Sequence, residues 1–134
     1  MITKEIASKL WKDIFGNKEW AQDCFGTWMH RDAWSNIAVS LLKPGDTRKY
    51  DYSWNVDHIR PKSDFNNESE ADFFNNYEPM HRQNNTKKFD NYPHFDIDGK
   101  QYKVFKQSNY YGYGIVDVAK NQKIDWKSTQ NRHY

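Results

Sequence analysis

The chain has one cysteine, Cys24, among 134 residues. It therefore cannot close an internal disulfide or build a cysteine-rich zinc site, and a small buried thiol in a reducing compartment is expected. Long apolar runs are missing too. Nothing near Met1-Ile2-Thr3-Lys4-Glu5 has the length of a secretory leader, and no other stretch suits a bilayer span. A soluble, cytoplasmic protein is the expectation. Charge of one sign is also scarce: a net +2 does not announce a nucleic-acid binder, so a local basic surface would have to do that work. The hydrophobic share is low at 37% while the aromatic share is 17%. Trp, Tyr and Phe must then fill much of the core, and their polar ends favour a thin, strand-rich body. No internal repeat or domain boundary is visible, and one domain over 1–134 is expected.

Ile2, Ile6, Leu10 and Ile14 recur at helical spacing, with Ala7 and Trp11 widening the stripe. Thr3 is a candidate cap and Gly16-Asn17 a candidate stop, giving an N-terminal helix over 1–17. An irregular aromatic stretch follows to Asn36, with a turn at Gly26. Tyr50, Tyr52, Trp54 and Val56 alternate with Asp51, Ser53 and Asn55, which predicts a strand running into Asp57-His58. Residues 64–76 are polar and acidic apart from Phe65, Phe73 and Phe74, and read as a loop with one helical turn. Tyr77 to Met80 suits a short second strand edged by Pro79, and Gln83 to Phe89 a short helix. Asp98-Gly99 between alternating segments signals a hairpin within 93–118. The end, 119–134, is polar and mostly basic (Lys120, Lys123, Lys127, Arg132) and is expected to fray or to contact phosphates.

Two stretches carry chemistry: Trp54-Asn55-Val56-Asp57-His58-Ile59-Arg60-Pro61-Lys62-Ser63, and Asn75-Asn76-Tyr77-Glu78-Pro79-Met80-His81-Arg82-Gln83-Asn84-Asn85-Thr86-Lys87-Lys88. A carboxylate beside an imidazole, then two asparagines nine residues apart, supplies a proton acceptor and oxygen ligands for a hard cation. Phosphodiester hydrolysis needs both. Either string alone is weak, because an isolated histidine is usually structural and Asn-Asn is usually a turn or cap. In this order and spacing, with their flanks, they resemble the HNH (ββα-metal, His-Me finger) endonucleases. The resemblance covers about residues 20–105, closely at 54–88, and includes Asp23-Cys24-Phe25-Gly26 upstream.

The resemblance implies an α+β fold: a ββα-metal unit over 50–90, an N-terminal helix and a C-terminal β-hairpin and strand extension. It implies Asp57 and Asn85 as metal ligands, His58 as general base and Asn76 as an orienting residue. A carboxylate with an amide oxygen favours Mg²⁺, with Mn²⁺ as the alternative. Arg60, Lys62, Lys87 and Lys88 are expected to meet backbone phosphates of DNA, most naturally double-stranded, with affinity that falls with salt. His81 and Asn84 stand where many relatives carry the cysteines of a structural zinc pair, and His81 is assigned to substrate contact or to stabilising the helix. Segment 64–75 replaces the family's glycine-rich loop. The function implied is metal-dependent DNA hydrolysis. The alternatives are a noncatalytic DNA-binding or assembly protein keeping the same shape, and a toxin-type nuclease with a protein partner.

Overall fold

A computed structural model describes residues 1–107 and 111–126. Its first element, helix α1 (Lys4–Phe15), begins where Thr3 Oγ1 accepts the N–H of Ile6 at 3.2 Å. It stops at Gly16, whose φ of +64° suits a residue without a Cβ while its N–H returns to Lys12 O. The stripe read from the sequence is the buried face: Ala7, Leu10, Trp11 and Ile14.

Two short antiparallel pairs follow, β1 (Trp20–Gln22) with β2 (Trp28–His30) and β3 (Ser40–Leu41) with β4 (Tyr50–Asp51). The strand expected from Tyr50 through His58 is in fact broken. Asp51 Oδ1 accepts from both the N–H and the hydroxyl of Ser53, a local turn that diverts the backbone from sheet pairing. Pairing resumes in β5 (Trp54–His58), which joins β6 (Tyr77–His81) with Asp57 opposite Glu78 and His58 opposite Tyr77. Pro79 is tolerated inside β6 for a definable reason. Trp54 turns its own N–H and C=O outward, to Ala33 and Ser35. Trp54–His81, Val56–Pro79 and His58–Tyr77 are therefore the pairs that exchange no hydrogen bonds, and Pro79 forfeits none. Helix α2 (Arg82–Lys88) leaves directly from β6.

The hairpin sits between two apolar clusters. One gathers Leu10, Trp11, Ile14, Met29, Trp54, Val56 and Tyr77, with α1 as its lid. The other gathers Cys24, Ile59, Met80, Phe95, Tyr102, Val104 and Ile115 under a second sheet. Being covered on both sides, every residue of β6 is buried. That second sheet comprises β7 (His94–Ile97), β8 (Lys100–Lys106), β9 (Tyr113–Asp117) and β10 (Gln122–Lys123), in the spatial order β10-β9-β8-β7. Asp98 and Gly99, both at positive φ, form the tight turn between β7 and β8. The chain is thus α+β, as expected.

The region after Ala119 departs from the expected fraying as far as it is described. Gln122 and Lys123 extend the sheet, and Asp125 is fully buried, accepting from Ile115 N and Gln107 Nε2. The Trp126 indole donates to Tyr77 O at 2.9 Å. A carboxylate capping the sheet interior and an indole docked on β6 override the polar composition. Lys127 and Arg132 lie outside the described residues. Among those described, no helix is long and apolar enough to cross a membrane.

Candidate functional site

Residues two apart on a strand share a face, so Asn55 and Asp57 both point from β5 toward α2. Residues three apart on a helix do likewise, and Asn85 and Lys88 point back from α2. The four side chains meet in two pairs. Asn85 Nδ2 donates to Asn55 Oδ1 at 2.9 Å. Lys88 Nζ lies 3.3 Å from Asp57 Oδ1 and 3.2 Å from Oδ2. A cavity of about 300 Å³ opens beside them, lined by Val56, Asp57, His58, Pro61, Lys62, Ser63, Glu68, Asn85, Phe89 and Asp90. Asp57, His58 and Asn85, separated by up to 28 positions in the sequence, thus border one space.

Asp57 and Lys88 are almost wholly removed from solvent, at 3% and 0% exposure. Burial pushes the Asp57 carboxyl up, while the Lys88 ammonium pulls it back toward the charged form. The same ammonium donates to His58 O at 3.2 Å and Ile59 O at 2.9 Å, so it also holds the turn leaving β5. Its hydrogen bond falls on Oδ1. Asp57 Oδ2, although within ion-pair distance, receives no directed hydrogen bond and is the orphaned buried polar atom of the site.

His58 is partly buried beside the cavity, its Nε2 2.7 Å from Asp72 Oδ1 and its ring edge-on to Tyr77. Burial favours the neutral ring and pushes its pKa below the usual imidazole value, against the opposing pull of the Asp72 carboxylate toward the charged form. Asn76 is fully buried and does not border the cavity. Its Oδ1 accepts from Arg60 N, and its Nδ2 donates to Arg60 O and Ala71 O, at 2.9, 3.1 and 3.0 Å. An asparagine that pins the backbone just beyond His58 acts by orientation.

The basic residues stand differently from what their positions suggested. Lys88 has no exposed surface and cannot meet a phosphate from outside; the charge of Asp57 draws it inward. Arg60 is spent internally, donating to the Asp64 carboxylate and carbonyl and to Tyr113 Oη while lying over the Phe65 ring. Lys87 is exposed but paired with Asp98 at 2.8 Å. Lys62 lines the cavity itself. His81 is not a surface group: Nε2 meets Asp51 O at 2.8 Å, and Nδ1 accepts the Gln83 N–H, capping α2. Its expected substrate contact is corrected accordingly.

Asp23 joins His81 and Asn84 through one buried carboxylate. Its Oδ1 accepts from Phe25 N and Thr27 N, and its Oδ2 from His81 N and Asn84 Nδ2, all between 2.9 and 3.0 Å. One buried carboxylate thereby clamps the 23–27 turn to the first turn of α2. Among the described residues no three His, Cys, Asp or Glu side chains converge as a metal cage. The carboxylate and amide oxygen donors lining the cavity are those of Asp57, Glu68, Asp90 and Asn85; a hard cation that keeps most of its water takes only one or two protein carboxylates.

Asn55, Asp72, Glu68 and Asp90 escaped the sequence reading. Asn55 carried a usable signal, since it shares the strand face of Asp57. Asp72 carried none, being one acid among several in a polar loop. Comparison with protein-family models, curated proteins and solved structures finds no match to any of them.

Proposed function

We propose that the chain is a metal-dependent endonuclease that hydrolyses phosphodiester bonds of DNA, with His58 as general base. The observation that carries this reading is the meeting of Asp57, His58 and Asn85 on one open cavity, where a buried oxygen of Asp57 lacks a hydrogen-bond donor. The Lys88 ammonium, 3.2 Å away, gives that oxygen a counter-charge but no directed hydrogen bond, so one acceptor site is left for a further ligand. Asp57 Oδ2 and the amide oxygen of Asn85, whose nitrogen is committed to Asn55, are the atoms that would hold Mg²⁺ or Mn²⁺. Such an ion supplies positive charge to the phosphate and to the departing 3′ oxygen.

The chain's own groups then divide the work. Neutral His58 takes the proton of an attacking water. A new P–O bond forms as the P–O3′ bond breaks, and the 3′ oxygen leaves and is protonated from solvent, giving 5′-phosphate and 3′-hydroxyl ends. Asn76 keeps the backbone around His58 in place, and Lys62 is the cation positioned to meet a phosphate at the cavity. With Arg60, Lys87 and Lys88 engaged internally or paired, steering of DNA rests on fewer free charges than the sequence suggests.

One observation favours the noncatalytic alternative: the Lys88 ammonium already offsets the charge of Asp57. Nicking of supercoiled plasmid with Mg²⁺, Mn²⁺ and EDTA separates the readings. Cation-dependent nicking that falls roughly 10²–10⁴-fold in His58→Ala is expected. Absence of nicking with either cation would leave a binding protein.

A further inference from the structure

We propose that Asp72, carried on the segment between β5 and β6, is a positioning residue that fixes the tautomer and orientation of His58. The inference rests on the nuclease reading and assigns a purpose to the stretch that departs from the family's loop.

The geometry is direct. Asp72 Oδ1 lies 2.7 Å from His58 Nε2, with both side chains largely shielded (13% exposed for His58, 22% for Asp72). A carboxylate only accepts, so Nε2 must carry the ring proton and Nδ1 is left with the lone pair. That lone pair is the atom able to take a proton from water. When it does, the imidazolium charge forms next to an anion already in place.

The loop is built to hold Asp72 still. Asp72 ends a 3-10 turn (Glu68–Ala71), with its N–H on Ser69 O at 3.2 Å. Ala71, just before it, is fully buried, and its carbonyl is held by Asn76 Nδ2. Asn76 also grips both backbone groups of Arg60, two residues past His58. One buried side chain therefore ties the strand end that carries the histidine to the loop that carries the aspartate. Phe73, the next residue, stacks on Tyr111 with centroids 4.8 Å apart. The other charges near the pair are the Met1 ammonium, 2.8 Å from Asp72 Oδ2, and Asp57, Lys62 and Glu68 around the cavity.

The test uses the full chain labelled with ¹⁵N, as wild type, Asp72→Asn, Asp72→Ala and Asp72→Glu. Ring nitrogen shifts, assigned with His58→Gln, report the tautomer, and plasmid nicking reports kcat and KM. The wild type is expected to show proton-bearing Nε2 in the neutral ring, and Asp72→Ala a mixture of tautomers. Loss of alignment should lower kcat about 100-fold in Asp72→Ala, with KM within about twofold and part of the rate restored in Asp72→Glu. If Asp72→Ala does not fold, the isosteric Asp72→Asn carries the comparison. A proton on Nδ1 in the wild type, or a variant kcat within about threefold of wild type, would overturn the proposal. A wild type that fails to nick DNA with either Mg²⁺ or Mn²⁺ would instead overturn the nuclease reading and the catalytic purpose of the clamp, whereas the ring spectrum would still report the clamp itself.

Discussion

Replacing Lys88 with methionine keeps most of the side-chain volume and removes the ammonium. The structure makes the consequence calculable in outline. Asp57 would remain at 3% exposure with no counter-charge, and the carbonyls of His58 and Ile59 would lose their shared donor. Taking one partner from a buried ion pair costs about 3–5 kcal/mol. Urea unfolding followed by the fluorescence of the six tryptophans should show that loss as a lower midpoint at unchanged slope. Asp57→Asn in the same chain removes the stranded charge, so the double variant should recover a large part of the loss. Divalent cation sharpens the test. If Asp57 and Asn85 form a cation site, Mg²⁺ should stabilise Lys88→Met by about 2.7 kcal/mol at a hundredfold excess over its dissociation constant. It should do nothing comparable for the double variant. A loss below about 1 kcal/mol in Lys88→Met, with no cation effect, would refute the view of this pair as a buried charge that a metal can relieve.

Other outcomes follow from individual contacts. Burial pushes the Asp51 carboxyl up, but hydrogen bonds from Ser53 and Arg82 and the nearby His81 outweigh it and hold the pKa at about 2, below the usual 3.8. A depressed carboxyl stabilises the fold above its unfolded pKa, so this contribution, about 2 kcal/mol, should fade as pH falls from about 4 toward 2. Acid titration of stability should therefore be shallower over that range in Asp51→Asn. Asp23→Asn offers one acceptor oxygen where the carboxylate served four N–H donors. It should cost about 1–3 kcal/mol for each donor left facing the amide, and faster hydrogen exchange at Thr27 and His81 should locate the damage. Phe89 is 69% exposed beside the cavity, and Phe89→Ala should leave the unfolding midpoint nearly unchanged.

The first helix was legible because its apolar stripe, its threonine cap and its glycine stop agree, and all three reappear around Lys4–Phe15. The hairpin at Asp98-Gly99 was legible for the same reason, turn chemistry and alternation pointing one way. The strand before Asp57 was over-extended because alternation counts side chains, whereas the break comes from Asp51 bonding to its neighbour's backbone. Asp57, His58 and Asn85 were singled out by the resemblance of the two stretches to the HNH pattern, and the structure brings them to one cavity. The fates of Lys88 and His81 could not be read, because burial of a lysine or histidine depends on partners 30 or so positions away. Asp72 is the clearest case: nothing local marks it, and only the folded loop sets it against His58.

The central claim is that Asp57 and Asn85 hold one divalent ion beside His58. Titrating the ¹⁵N-labelled chain with Mn²⁺, whose unpaired electrons broaden nearby resonances, tests it most directly. Early, selective loss of the Asn85 side-chain amide and His58 ring signals, abolished in Asp57→Asn and competed away by Mg²⁺, is the expected result. Uniform broadening, or broadening confined to exposed carboxylates such as Asp96 and Asp98 with Asn85 and His58 untouched, would contradict the claim.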